Sequence, residues 1–232
     1  MAEFVIFTLV APMGAFGGPA GHERRGSAGW PARSAILGLV GAALGIRRAD
    51  REGQGALSRW RTAVSVLAQG PLLRDFHTVQ TVPASRIRRP ATRAEALGAL
   101  TRSDNGLITR REYRTDCAYG VALWGGGEGE RLVSALSEPV FVPYLGRKSC
   151  PLSAPMAPRL VMAEGPVEAL SQITLPPFLK LDPGAPILIA SDDPLGAGGH
   201  VETLWSEPVD REKWHFAARE VHVLRPDGEG PS

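Results

Sequence analysis

Lysine is nearly missing from this 232-residue chain: of its 26 basic residues only Lys148, Lys180 and Lys213 are lysines, and the rest are arginines. Cysteine is as scarce. Cys117 and Cys150 stand alone with no CxxC spacing, which excludes a disulfide framework or a zinc ribbon and suits a reducing, cytosolic compartment. No apolar run reaches the eighteen or so residues of a membrane span. The start, MAEFVIFTLVAP, carries Glu3 and no basic leader, so it reads as a first strand rather than a signal peptide. GK[ST], GxGxxG and HExxH are all absent, which excludes a P-loop ATPase, a Rossmann enzyme and a zincin. No carboxylate pair has the spacing of a two-metal nuclease: Asp192 and Asp193 are adjacent and on a strand would face opposite ways. No metal and no cofactor are expected.

What is present is glycine, proline and clustered arginine. With 27 Gly and 20 Pro, much of the mass lies in turns and loops. A formal charge of +2 does not announce nucleic acid by itself; its distribution matters more. From Asp75 to Asp116 an excursion leaves the apolar blocks with Arg86, Arg88, Arg89, Arg93, Arg102, Arg110, Arg111 and Arg114, and Pro83, Pro90 and Gly106 break any simple helix there. A GC-rich genome would produce the arginine bias but not this clustering. A long loop in a compact domain either is solvated and disordered or has a use. Here the use would be a basic clamp on a phosphate backbone, since arginine offers a planar fork of donors.

Phe4–Ala11 has the composition of a buried central strand. After a glycine-rich loop carrying His22, Arg24 and Arg25, Pro31 opens a helix through Gly45 with an apolar stripe at Ile36, Leu39, Val40, Ala43 and Leu44. That junction, with Arg33 and Ser34 in the first turn, either merely turns the chain or presents free N–H groups to an RNA phosphate. A charged connection, GIRRADREGQGALSRW, leads to a short helix near Ala56–Trp60. Ala63–Gln69 and Phe76–Thr81 read as strands around the turn GPLLRD, and Tyr113–Trp124 returns to the sheet. Glu130–Ser137 reads as a helix and Pro139–Leu145 as one more strand. Beyond it, Val167–Ile173 reads as helical, Ala185–Ala190 as a strand, and VETLWSEPV and KWHFAAREVHVLR as a strand pair. Strand, helix, strand, insertion, strand, helix is the order of a ferredoxin-like fold, a topology common among RNA-recognition domains. The expected architecture is α+β: a ferredoxin-like, RRM-like domain over 1–145 and a small β-rich C-terminal part over 146–232.

Two chemistries compete for the polar residues. His77 follows Asp75 by two, so both face one way on a strand, and His77 could be a general base for a 2′-hydroxyl with Tyr113 or Lys148 as acid or charge stabiliser. That would be a metal-independent endoribonuclease, with His22 a weaker second candidate. Nothing in the spacing holds such a pair together. The other reading is binding: Arg147, Lys148 and Ser149 beside a tight turn suit phosphate contacts, as do Arg24 and Arg25.

The blocks PARSAILGLVGAALGIRR, DFHTVQT, YRTDCAYGVAL, YLGRKSCPLSAP and WHFAAREVHV, in that order and across nearly the whole chain, resemble the CasD branch of the fifth CRISPR-associated protein family, the type I-E Cascade kind. The resemblance implies an RRM-like body with an inserted β-hairpin thumb, which the basic segment 84–112 matches in position, and a smaller C-terminal part. It implies a non-catalytic cap of the CRISPR surveillance complex in antiviral defence. Such a cap holds the 5′ handle of CRISPR RNA, touches the backbone subunit and the large subunit, and serves target DNA recognition indirectly. On that reading Arg24, Arg25, Arg33, Ser34, His77, Arg86, Arg88, Arg89, Arg110, Arg111, Arg147, Lys148 and Ser149 meet RNA, and bound CRISPR RNA is the structural partner. In a related branch Tyr, Lys and His residues cut precursor RNA; in this one a separate subunit does so. One departure is visible: the family's Gln-Ser/Ala-Trp-Gly run after the first strand is replaced here by Gly14, Ala15 and Phe16, and Phe16 either stacks on a base or packs on the sheet.

Overall fold

The computed structural model describes residues 1–17, 23–80, 82–101, 104, 106–211, 213 and 215–226. His22, Arg102 and Trp214 lie outside the described residues. The first strand, β1 (Ala2–Gly14), is buried along Phe4–Ala11. Its odd residues Val5, Phe7 and Leu9 enter one core cluster, and its even residues Phe4, Ile6 and Val10 enter another. A strand covered on both faces needs apolar side chains at every position, which is why this block shows no polar alternation.

The remaining elements in chain order are β2 (Arg24–Arg25), α1 (Arg33–Ala43), α2 (Arg51–Leu57), β3 (Arg61–Ala68), β4 (Leu72–Val79), α3 (Arg93–Gly98), β5 (Leu107–Trp124), α4 (Gly129–Ser137), β6 (Arg159–Ala163), α5 (Pro166–Ser171), β7 (Leu188–Ser191), β8 (His200–Asp210) and β9 (His215–Leu224). They build a mixed α+β structure around one sheet of order β6-β1-β5-β3-β7-β9-β8, with β2 and β4 also on β5. Neighbours along that path are antiparallel. Helices α1, through Ile36, Leu37, Leu39, Val40 and Ala43, and α4, through Leu132 and Leu136, cover one face. Ala169 and Leu170 of α5, with Ile173, cover the other. The strands after residue 146 are thus laid onto both edges of the same sheet. Among the described residues no helix is long and apolar enough to cross a membrane.

Helix α2 begins earlier than its apolar residues suggest, because Asp50 accepts the Gly53 N–H at 2.9 Å and caps it. The basic excursion is less loop than its sequence implies. β4 and the first half of β5 zip together from Leu72↔Arg114 to Val79↔Leu107, so the arm is a hairpin. Its tip holds α3, where Thr92 accepts the Glu95 N–H at 3.2 Å and the Glu95 carboxylate accepts the Ala91 N–H at 2.8 Å.

Residues 139–145 do not form the expected strand. Among the described residues the only pairing there is the bridge Tyr144↔Pro151. Pro139 and Pro143 remove donors, and the N–H groups of Val140 and Phe141 instead donate to Ala43 and Ala42 carbonyls at 3.0 and 3.1 Å. The segment closes the C-terminal end of α1, where carbonyls lack helical partners.

Candidate nucleic-acid interface

Strand alternation sorts the hairpin arm into two faces. Arg74 and Phe76 of β4 lie opposite Glu112 and Arg110 of β5 on one of them. β2 runs parallel to β5 with Arg24 beside Arg110 and Arg25 beside Arg111. Arg24, Arg110 and Phe76 therefore form a row across three strands. The Arg110 guanidinium lies 5.4 Å from the Phe76 ring centre, and Phe76 is 58% exposed. An open aromatic beside a cation is a surface on which a base can stack.

Glu112 organises this row. Its Oε1 accepts Arg24 Nη2 at 3.1 Å and Arg74 Nη2 at 3.0 Å, while its side chain is only 7% exposed. Burial pushes the Glu112 carboxyl up, but the hydrogen bonds from Arg24 and Arg74 outweigh it and hold the group below the usual carboxylate range.

The YLGRKSC turn docks onto the same end of the sheet. Gly146 has φ +80°, and a Cβ there would sit 1.8 Å from the Ala15 carbonyl oxygen, so only glycine fits. The Ala15 N–H donates to the Leu145 carbonyl at 3.1 Å. This places the Arg147 guanidinium 4.6 Å from the Tyr113 ring centre. Arg147 also donates to the carbonyls of Glu112 at 3.3 Å and Arg25 at 3.5 Å. Lys148 and Ser149 stay exposed beside it. Three strands thereby bring Arg24, Arg74 and Arg110 to one face of the arm, while Arg25 and Arg147, the latter stacked on Tyr113, lie on its other face at the same end.

His77 and Asp75 do share the opposite face, with Nε2 and Oδ2 2.5 Å apart. Tyr113, however, lies opposite Leu73, while His77 lies opposite Thr109. At ~3.3 Å per residue that register separates the imidazole and phenol positions by on the order of 13 Å. Tyr113 is moreover buried beneath Arg147. His77, Tyr113 and Lys148 are not brought together as a proton-transfer set. Among the described residues no group of three His, Cys, Asp or Glu could hold a metal ion.

Other expected contacts land elsewhere. Arg33 is 8% exposed. It donates to Glu207 at 3.0 Å, to Asp192 and the Ser58 carbonyl at 2.7 Å, and to the Trp60 carbonyl. That guanidinium faces inward, so α1 does not open on an arginine-lined anion site, and Ser34 is half-buried with its carbonyl taken by Arg211. Arg86, Arg88 and Arg89 are exposed on the hairpin tip, where Arg86 reaches Thr101 at 3.5 Å. Arg111 lies opposite Asp75, with its Nε buried and without a hydrogen-bond partner. Phe16 packs inward, 5.5 Å from the Tyr119 ring. Burial pushes both the Cys117 and Cys150 thiols up, so neither is a reactive thiolate. Sequence reasoning missed Arg74, Phe76 and Glu112; their alternation in LRDFH and RREY was visible, but only the strand register shows that they meet.

A model of the family described as CRISPR-associated protein (Cas_Cas5) matches residues 4–222. The chain is 31% identical over 239 residues to the CRISPR system Cascade subunit CasD of Escherichia coli (strain K12), covering 97% of each protein. It is similar in structure to a chain of a CRISPR RNA-guided surveillance complex, with a TM-score of 0.67, 23% identity, and 95% and 88% of the two chains covered. A solved Cas protein superposes with a TM-score of 0.61 at 26% identity over 99% of this chain and 100% of that one.

Proposed function

The chain belongs to the CRISPR-associated protein (Cas_Cas5) family, and from that membership we propose how its surface works: it is a CasD-type subunit of Cascade that binds CRISPR RNA and does not cut it. The observation that carries this reading is the row of Arg24, Arg110 and Phe76 joined by Arg74, with Arg147 behind it on the Tyr113 face of the same arm. Arginine forks fix phosphates and so set the register, while an exposed ring and splayed bases supply preference. The 5′ handle lies across this row, with Arg25, Lys148 and Ser149 at its margin and Arg86, Arg88 and Arg89 reaching further along the strand from the hairpin tip. His77 and Arg111 on the opposite face of the arm are contacts or structural groups. Arg33 and Ser34 support the sheet from within.

Antiparallel order β6-β1-β5-β3, with α1 between the first two of these strands in sequence and α4 between the last two, supports reading 1–145 plus β6 as a ferredoxin-like, RRM-like body. The arm around 84–112 is then its thumb, and the remaining strands of 146–232, β7 to β9, its C-terminal part. In the assembled complex the subunit caps the RNA beside the backbone and large subunits and contributes to target DNA recognition indirectly. We place it in the cytoplasm, as suits a bacterial relative and two buried thiols.

The test is incubation of the full-length protein with labelled repeat-derived RNA in EDTA, read on native and denaturing gels. Intact handle RNA should be retained. Replacing Arg24, Arg25, Arg147 and Lys148 together should weaken retention and flatten its salt dependence by about 0.7 in log–log slope per lost contact. Cleavage that disappears with His77→Ala would instead make the chain an endoribonuclease.

A further inference from the structure

The segment that seals the C-terminal end of α1 leaves four large apolar side chains in the open. Val140, Phe141, Val142 and Tyr144 are all exposed, the two valines at 64% and 80%. A contiguous apolar patch on a folded surface marks a place where something docks. This one is also rigid. Pro139 and Pro143 fix their backbone torsions. The Val140 and Phe141 N–H groups are held by α1 carbonyls, and the Leu145 N–H donates to the Cys150 carbonyl at 2.9 Å. Gly45, with φ +74°, ends α1 so closely against Val140 that a Cβ there would sit 3.1 Å from its Cγ1. Side chains fixed in this way lose little freedom on contact, as an anchor requires.

Three observations select the occupant. Aliphatic branches offer nothing to a phosphate or to the face of a base, and no cation lies within 139–145, so the patch suits protein rather than nucleic acid. Its surroundings are net positive. Glu138 precedes the segment, whereas Arg147 and Lys148 follow it and Arg47 stands two residues beyond Gly45. Arg47 and Lys148 are exposed, and a second copy of this chain would set like charges against each other across a self-complementary contact. Four side chains also fall short of the roughly 800 Å² that each partner gives to a stable pairwise interface. The contact therefore needs a shared ligand, and the patch is continuous with the place for one. Leu145 leads directly into the turn whose Arg147 caps Tyr113 at the base of the arm proposed to bind RNA.

We infer that this patch anchors another protein subunit seated on the same RNA, one that presents an apolar hollow rimmed by carboxylates. The inference rests on the reading of this chain as a Cascade subunit and adds to it the surface and the chemistry of a subunit contact. Val142, the most exposed of the four, enters the hollow. Phe141 and Tyr144, each partly covered by their own chain, supply the larger contact area.

The test uses the full-length protein reassembled with the other purified subunits and CRISPR RNA. With p-benzoylphenylalanine in place of Val142, irradiation should link this chain to another protein subunit of the complex, identified by mass spectrometry. A link to RNA, a link between two copies of this chain, or no link would overturn the inference. In parallel, Val142→Asp should melt as the wild type does, because Val142 is 80% exposed, and should bind isolated handle RNA unchanged. Its incorporation into the complex should fall about tenfold or more, as for an anchor at the centre of a contact. Val142→Lys, drawn to carboxylates, should lose less. Equal incorporation of Val142→Asp and the wild type refutes the anchor, and a greater loss for Val142→Lys refutes the acidic rim. A wild type that binds no handle RNA refutes the handle reading, while a protein link from position 142 leaves this one standing.

Discussion

Glu112 is an acid placed among arginines that are proposed to meet a polyanion, and its geometry explains why it is there. One oxygen holds both Arg24 and Arg74, which come from different strands, so their forks are fixed before any phosphate arrives and their mutual repulsion is relieved. The sign of its pH effect follows from the direction of its shift. The folded-state pKa lies below the ordinary 4.5, so the stabilisation is fully present above that value and is lost as pH falls through the lowered one. Glu112→Gln should therefore reduce thermal stability at pH 7, and the gap to the wild type should close on acidification below about pH 4. A gap independent of pH would mean that the carboxylate charge contributes nothing. Gly146 is the second residue whose identity is dictated by its surroundings. Gly146→Ala must adopt φ +80° and displace the Ala15 carbonyl. Left-handed backbone alone costs about 1–2 kcal/mol, so a loss of 2 kcal/mol or more is expected (~1–3 kcal/mol more from the steric overlap), measured by urea denaturation.

Among the elements, the hairpin arm is the one that the body does not need. Among the described residues its tip contributes nothing to either core cluster, and the arm gives them only Tyr113 at its base. Replacing residues 84–104 by a short glycine linker should leave urea stability within about 1 kcal/mol, because loop length enters stability only logarithmically. The same change should impair assembly of the complex on guide RNA, and an unfolded body would refute the view of the tip as an insertion. The elements also show what the sequence disclosed and what it concealed. β1, α1, β3 and the second half of β5 were legible because burial on one or both faces imposes an apolar pattern. β4 was only half legible: its first residues looked like a turn, since Leu72, Leu73 and Arg74 are exposed on a strand that among the described residues pairs with β5 alone. β6 went unseen because five residues with mixed burial carry no period of their own and become a strand only by pairing with β1. The segment 139–145 misled in the opposite direction. Its β-type side chains are real, but 42–80% exposure at Val140, Phe141 and Val142 shows that they cover no core. For the site, the arginine clusters were legible and the inward turn of Arg33 was not, because its partners Asp192 and Glu207 are remote in sequence.

Those remote partners decide how the whole molecule holds together. Asp192 follows β7 and receives Arg33 from the start of α1, the Thr62 N–H at 2.8 Å and hydroxyl at 3.1 Å from β3, and Arg219 from β9. Arg33 and Arg219 also approach Glu207 of β8, at 3.0 and 4.0 Å. The two arginines are 8% and 13% exposed and Asp192 12%, so the cluster joins the N-terminal strands and helix to the last three strands through nearly buried charge. Removing one member of such a set leaves its partners desolvated and uncompensated, which costs about 3–5 kcal/mol. Asp192→Ala should therefore be among the most destabilising single changes in the chain, far beyond the effect of changing an exposed pair such as Glu128 and Arg131. How the loss appears tests the division at residue 145. If the C-terminal strands fold as one unit with the body, urea unfolding followed by tryptophan fluorescence and by far-UV circular dichroism should show one coincident transition, moved to lower urea in the variant. If residues 146–232 are a separately stable part, the variant should split into two transitions. The early one would then report Trp205 on β8, while β1, β3 and β5 stay paired until the later one.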